Sequence, residues 1–189
     1  MANYKVKHPV IAPITDEPEN KPAVYGTGMT VGKAIQISLT PNMNEASLYG
    51  DDGLAEYAKE FADMDVSLNT TNLPEKARGM IFGETINEEG KTITSTTTDE
   101  APYVGFGFVS GEMVNGKYRY VMIWIPKVKF SASGETYDTK GDSITWGTHT
   151  IEGKGTADNS GVWREYKLFD TEAEAIKALD QKANISTEG

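Results

Sequence analysis

Cysteine is absent from this 189-residue chain, and histidine occurs only twice, as His8 and His149. The lack of thiols excludes disulfides, thiolate nucleophiles and cysteine-based zinc or iron–sulfur sites. A serine triad would have to combine His149 with a buried acid, but the chain contains no Gly-x-Ser-x-Gly elbow. The sequence therefore predicts no catalytic residues, and we expect a protein that is not an enzyme.

Long apolar runs and positive charge are also scarce. No run approaches the roughly 20 residues needed to cross a bilayer, and the first residues lack the apolar core of a secretory signal. We expect no membrane insertion, and synthesis and folding in the cytoplasm. Lysine and arginine number 18 against 28 acidic residues, a net charge of −10. This negative net charge disfavours a surface that binds nucleic acid by releasing counterions from phosphates.

Motifs that bind metals or nucleotides are missing as well. Asp51, Asp52 and Glu56 are close in sequence, but their spacing does not match an EF-type calcium loop. We interpret them as part of a solvated hairpin turn. The chain contains neither a phosphate-binding Gly-x-x-x-x-Gly-Lys-Ser/Thr loop nor a dinucleotide-binding glycine pattern at a strand-to-helix junction. We therefore expect no metal site and no cofactor.

One segment resembles an RNA-binding sequence motif. Gly105-Phe106-Gly107-Phe108-Val109 matches the centre of the RNA-recognition strand motif, but Val104 and Gly111 replace its basic and aromatic ends. The acidic chain also has too many strands for that fold. We instead predict a strand whose phenylalanines point inward while its glycines let a neighbouring element approach closely.

What the sequence does contain indicates a mainly β fold. Nineteen glycines, nine tyrosines and a threonine-rich middle favour pleated sheets. We predict an antiparallel β-sandwich or barrel-like domain over residues 33–170, with a flanking helix at about 74–82. Asn115-Gly116 predicts a tight hairpin turn. Thr171-Glu-Ala-Glu174 predicts a capped helix in the C-terminal segment 171–189, followed by a frayed tail from Asn184.

A second hairpin is predicted around Asp52-Gly53, a dipeptide suited to a two-residue turn. Before it, alternating residues predict a strand from Ala34 that ends at Pro41-Asn42. After it, Met64, Val66 and Leu68 alternate with polar residues and predict a further strand. Asn72 is the predicted cap of the helix that starts at Pro74.

The first 32 residues are predicted to form an extended N-terminal arm. Four of the eight prolines, Pro9, Pro13, Pro18 and Pro22, lie there, and proline removes a backbone donor, so the segment should not pair as an interior strand. Its apolar residues would be poorly placed in a permanently solvated tail. We expect them to dock on a neighbouring subunit: Val6, Val10, Ile11 and Ile14.

Three features together resemble the major tail proteins of long-tailed bacteriophages of Gram-positive hosts. They are the run Lys7-His-Pro-Val-Ile-Ala-Pro-Ile14, the hairpin Leu48-Tyr-Gly-Asp-Asp-Gly53, and the helix start Leu73-Pro74. The resemblance implies a virion protein that forms hexameric rings, which stack into the tail tube through which DNA is ejected. It implies self-association, and a tape-measure protein, a tail terminator and a distal tail protein as partners.

The resemblance also implies a role for the negative net charge, because a tube that transports double-stranded DNA must let the DNA pass without specific binding. We expect the acidic hairpin to project toward the lumen or the next ring, with its apolar residues inserted between partners. The residues of this hairpin set are Leu48, Tyr49, Asp51, Asp52, Leu54 and Tyr57.

Two alternatives remain open from the sequence. One is a monomeric β-sandwich binding module, for example for carbohydrate, that uses Trp124, Trp146 and Trp163 as a stacking platform. The other is a tube subunit of a phage-derived bacteriocin or injection system, which would share the fold.

Overall fold

The structure is a computed structural model that describes residues 2–50, 53–87, 92–114, 116–131 and 148–186. These ranges contain eleven strands and two helices. The strands are β1 (Ala2–Asp16), β2 (Val24–Tyr25), β3 (Met29–Thr30), β4 (Ala34–Gly50), β5 (Gly53–Thr70), β6 (Thr85–Ile86), β7 (Ile93–Thr94), β8 (Tyr103–Val114), β9 (Lys117–Ser131), β10 (His149–Thr156) and β11 (Glu165–Phe169). The helices are α1 (Glu75–Phe82) and α2 (Glu172–Lys182), and in the described ranges neither helix is long and apolar enough to span a membrane.

Nine strands form one antiparallel sheet, and seven of them follow one another in the order β2-β1-β8-β9-β10-β5-β4. β11 pairs with β9 beside β10, and β3 pairs with β1 beside β2, while β6 and β7 form a separate small ladder. The sheet curls until β4 approaches β1, and it encloses a core built on Ile11, Met64, Leu68, Phe106 and Ile125. The predicted mainly β, antiparallel class is confirmed.

The β8–β9 hairpin is the centre of the sheet and forms where the sequence predicts it. Val114 pairs with Lys117, and Gly116 has φ of 75°, as a tight turn requires; Asn115 lies outside the described residues. Strand β9 is buried on both faces. Val121, Ile123 and Ile125 enter the central core, while Met122 and Trp124 pack under α2. This double burial explains the unbroken apolar run from Val121 to Ile125.

Both helices lie close to their predicted positions. Helix α2 is capped by Thr171, whose Oγ1 accepts a hydrogen bond from the Glu174 backbone N–H at 3.3 Å. Helix α1 begins after Pro74 and has no side-chain cap, so the predicted Asn72 cap is wrong. The Asn72 side chain instead accepts a hydrogen bond from the Thr71 hydroxyl.

The predicted fraying from Asn184 is wrong as far as the chain is described. The Asn184 side chain donates to the Tyr25 carbonyl at 2.6 Å, and the Ile185 N–H donates to the Asp180 carbonyl at 2.9 Å. Residues 187–189 lie outside the described ranges.

The N-terminal arm prediction is wrong, because residues 2–16 form a strand of the main sheet. β1 pairs with β8 from Ala2 to Pro13, and with β3 and β2 on its other side. The carbonyls of Pro9 and Pro13 accept hydrogen bonds from Val31 and Gly26. Since the N and O of one strand residue face the same neighbour, the missing proline donors face the short outer strands. The two prolines therefore remove no hydrogen bond from the ladder between β1 and β8.

The predicted strand end at Pro41-Asn42 is also wrong. β4 continues through Pro41, which pairs with Met64, and runs for 17 residues to Gly50. In the described part of the chain β4 pairs with β5 alone, so it is an edge strand, which tolerates proline where a donor would face the open side.

Candidate assembly interface

The predicted docking set of the N-terminus lies inside the subunit. Val10 and Ile11 are fully buried, and Val6 packs against the central core. Ile14 is half-buried and pairs with Tyr25 of β2. These side chains stabilise their own domain, and they are not a free surface for a neighbour.

The predicted hairpin forms, and it is longer than expected. β5 is one strand of 18 residues, and pairing with β4 continues to Leu48 with Glu56, Tyr49 with Leu54 and Gly50 with Gly53. Asp51 and Asp52 lie outside the described residues. Tyr57 is 51% exposed.

The outer half of this hairpin, which we call the outer ribbon, comprises residues 43–50 of β4 and 53–61 of β5. β10 pairs with β5 only from Met64 to Thr70, so in the described structure the outer ribbon has two strands and no further ladder partner. The described side chains of residues 43–47 and 57–60 are all exposed. A bulge between Asn42 and Met43 separates the ribbon from the body of the sheet.

The two faces of the outer ribbon differ in character. Directly paired residues lie on the same face. One face carries Met43 and Phe61, then the Glu45–Lys59 ion pair at 2.6 Å, then Ser47 and Tyr57. The other face carries Asn44 and Glu60, then Ala46 and Ala58. One face therefore has aromatic side chains, and the opposite face is small and acidic.

The base of the outer ribbon is held by a polar cluster. The Asn42 amide donates to Asp63 at 2.7 Å and to Asp65 at 2.9 Å. Lys154 of β10 lies 3.0 Å from Asp63 and 2.7 Å from Asp65. The Asn42 bond and then Lys154 hold the pKa of Asp63 below its usual range, whereas for Asp65 the Lys154 contact is the larger cause of the lowered pKa. The cluster fixes the direction in which the ribbon leaves the body.

An aromatic and cationic stack lies on the other side of the ribbon base. Phe61 stacks on Trp163 with ring centroids 4.5 Å apart and planes 10° apart. The guanidinium of Arg164 lies 4.5 Å from the rings of both Trp163 and Tyr166. The sequence alone does not predict this group, and its one local signal is the run Trp163-Arg-Glu-Tyr166.

Arg164 lies at the rim of a cleft of about 480 Å³ between β1, β4, β8, β9 and β11. The floor is apolar and includes Val6, Ile37, Leu39, Phe108 and Ile123. Lys5, Gln36, Arg164 and Tyr166 lie around the opening. Lys5 also donates a hydrogen bond to Glu172 of α2.

The tryptophans do not form a platform in the described structure. Trp124 is fully buried, its Nε1 donates to the Tyr25 hydroxyl at 3.2 Å, and that hydroxyl donates to the Pro126 carbonyl at 2.9 Å. Trp163 is half-buried in the stack with Phe61, and Trp146 lies outside the described residues. The phenylalanines of the RNA-like motif, Phe106 and Phe108, are buried too and are not available to stack on bases.

The described residues contain no group of three or more histidine, aspartate or glutamate side chains placed to hold a metal ion. No protein-family model matches the chain, and no curated protein is significantly similar to it.

Proposed function

We propose that this chain is a structural virion protein, the subunit of a phage tail tube, in which hexameric rings stack to form the conduit for DNA. The observation that supports this most is the outer ribbon, which leaves the body with both faces exposed. Sequence resemblance to major tail proteins points to the same role. In that setting its partners are other copies of itself, together with a tape-measure protein, a tail terminator and a distal tail protein.

The outer ribbon needs a partner for energetic reasons. A two-stranded hairpin is marginally stable by itself in water, and its 17-residue strand β4 presents an edge with unpaired backbone groups. Such an edge is a template for pairing with another chain. A closed ring satisfies every copy of the edge in the same way, so assembly stops at a defined size around the ring.

The charge of the chain supports a conduit for DNA. Residues 43–61 contain five acidic residues and one lysine, and the whole chain carries −10. A wall of this sign repels a polyanion over distances comparable to the Debye length, about 8 Å at physiological salt. A duplex can then pass through the channel without being retained.

Negative-stain electron microscopy of the purified, concentrated protein tests this role. We expect rings with a central channel, and tubes built from stacked rings. A matched control replaces residues 43–62 by Asn-Gly, which joins the paired residues Asn42 and Asp63 through a tight turn. This control should stay folded and form no tubes. Filaments without a channel, or tubes formed equally well by the control, would contradict the proposed role.

A further inference from the structure

The charge of Arg164 is not matched by any carboxylate of the described residues. Its guanidinium lies 4.5 Å from the ring of Trp163 and 4.5 Å from the ring of Tyr166. The two rings hold it at the rim of the cleft, while its N–H groups remain available. A guanidinium held in this way binds a carboxylate through paired, charge-assisted hydrogen bonds. The rim is therefore placed to receive a carboxylate from outside.

The cleft offers one unmatched positive charge. Lys5, its other cation, already donates a hydrogen bond to Glu172. No aspartate or glutamate is among the described residues that line the cleft, although the chain carries a net charge of −10. A single carboxylate would therefore meet attraction without a repelling neighbour. A ligand with a second charge would bring that charge into the cleft without a partner, which is costly.

The floor of the cleft is suited to an apolar chain. It is lined by aliphatic and aromatic side chains, which are Val6, Ile37, Leu39, Phe108 and Ile123. The volume of about 480 Å³ lies in the range of small-molecule sites, which combine mainly apolar walls with a few polar groups. Covering this floor removes apolar surface from water and contributes binding free energy in proportion to the area covered.

Ser110 supplies a second polar group inside the cleft. It is 6% exposed and lines the cleft. It pairs across the sheet with Val6 and Val121, which both face the central core, so its side chain lies on the same face. No hydrogen-bond partner of its hydroxyl is found among the described residues. Because a buried hydroxyl without a partner is unfavourable, a polar atom of a ligand is a natural partner for it.

Arg164 and Ser110 lie toward opposite ends of the apolar floor. Tyr166 pairs with Ile123, and Ile123 pairs with Phe108, so β11 and β8 run in the same direction. Arg164 lies two residues before Tyr166, and Ser110 lies two residues after Phe108. The two positions are therefore separated by four residues, or about 13 Å along the strands. A ligand that meets both carries its polar groups at the two ends of an extended chain.

We infer that the cleft beside Arg164 binds a small apolar monocarboxylate with a polar group at its far end, of the ω-hydroxy fatty acid type. Arg164 binds the carboxylate, the floor covers the chain, and the Ser110 hydroxyl forms a hydrogen bond with the far group. This inference goes beyond the tube role and does not depend on it, because one subunit contains all the residues of the site.

Isothermal titration calorimetry of the full chain tests the carboxylate end. The probe is ω-hydroxydecanoate below its micelle concentration, with decanoate and decanol as reference compounds. We expect wild type to bind decanoate more tightly than decanol. Arg164→Met keeps a long apolar stem for stacking and removes the charge. It should weaken binding of both acids by at least about tenfold and leave decanol binding unchanged.

Ser110→Ala tests the far end of the site. A ligand hydroxyl in an apolar cleft is unfavourable unless it is hydrogen-bonded. This variant should therefore weaken binding of ω-hydroxydecanoate by about fivefold and leave decanoate binding within about twofold of wild type. Lys177→Met removes a positive charge at an exposed position of α2 and is the control, which should bind both acids like wild type. Melting curves verify that each variant is folded.

Several outcomes would overturn the inference. If wild type binds neither acid, or binds decanol at least as tightly as decanoate, the cleft is not a carboxylate site. This comparison needs no substitution, so it holds even if a variant does not fold. Binding of both acids by Arg164→Met at wild-type affinity would also contradict it. If Ser110→Ala weakens both acids equally, or neither of them, the hydroxyl does not meet the far group and the two-ended site is wrong.

Discussion

Trp124 of β9 lies directly against Gly107 of β8, its partner across the sheet. A Cβ atom on Gly107 would lie 2.6 Å from the indole Cε3 and 2.7 Å from Leu179 Cδ1. The glycine therefore makes room for the indole, and for the helix α2 that covers it. The pattern Gly-Phe-Gly-Phe, which resembles an RNA-binding motif, has a packing role here.

Gly107→Ala should lower the free energy of unfolding by about 1–3 kcal/mol, because the methyl group overpacks a site whose neighbours are already close. Urea unfolding measures the change. Gly155→Ala is the matched control in another strand, since its Cβ would meet Ile125 Cγ2 at 3.3 Å and the flexible end of Met64 at 3.4 Å. A larger loss for the control would contradict the packing explanation.

Ile11→Ala should cost about 2–5 kcal/mol in unfolding free energy, as expected for a fully buried side chain. Val24→Ala, at a position that is 46% exposed, is the control and should cost much less.

Deletion of residues 1–22 should unfold the domain, since it removes β1 from between β8 and the outer strands. A truncated protein with a wild-type melting curve would show that the N-terminal strand does not support the fold.

The ion pairs that join α2 to β1 predict a pH dependence. Hydrogen bonds from Lys5 and then Lys7 hold the pKa of Glu172 below its ordinary value of 4.5. A carboxylate with a lowered folded-state pKa contributes its stabilisation fully above the unfolded value, and loses it as pH falls through the folded-state pKa. The difference in melting temperature between wild type and Glu172→Gln should therefore shrink as pH falls below 4.5.

Thermal melts from about pH 6 to about pH 3 measure this difference. Glu19→Gln, at an exposed position without a described ion pair, is the control and should change little. A difference that grows toward acid pH would contradict the assigned ion pairs.

The acidic turn of the hairpin can be tested within the proposed tube. Changing Asp51 and Asp52 to lysine should still permit assembly if the turn faces the channel, but tubes should then retain DNA or eject it more slowly. The effect should increase at low salt, where screening is weaker. Ejection at the wild-type rate in low salt would show that the turn does not face the channel, and failure to assemble would place it in a subunit contact.

Features with local signals could be predicted from the sequence. The β8–β9 hairpin follows from Asn115-Gly116 and alternating apolar residues, and the start of α2 follows from Thr171. Features that depend on neighbours could not. Pro9 and Pro13 suggest an unpaired arm, because the sequence does not reveal that their missing donors face the short outer strands.

The candidate assembly interface also combines features that the sequence predicts with features that depend on neighbouring strands. The hairpin that carries the outer ribbon could be predicted, since Asp52-Gly53 is a turn signal and the flanking residues favour strands. Its length could not, because a proline in the sequence predicts the end of a strand, whereas Pro41 lies within the edge strand β4. The cleft was also not predictable, since Lys5, Ile37 and Arg164 are brought together only by the curled sheet.

Sedimentation velocity of the full chain over a concentration series tests self-assembly most directly. We expect a monomer at low concentration to give way to ring-sized and larger species, and we expect the variant in which Asn-Gly replaces residues 43–62 to stay monomeric throughout. A wild-type protein that remains strictly monomeric at millimolar concentration would contradict the assignment as a tube subunit.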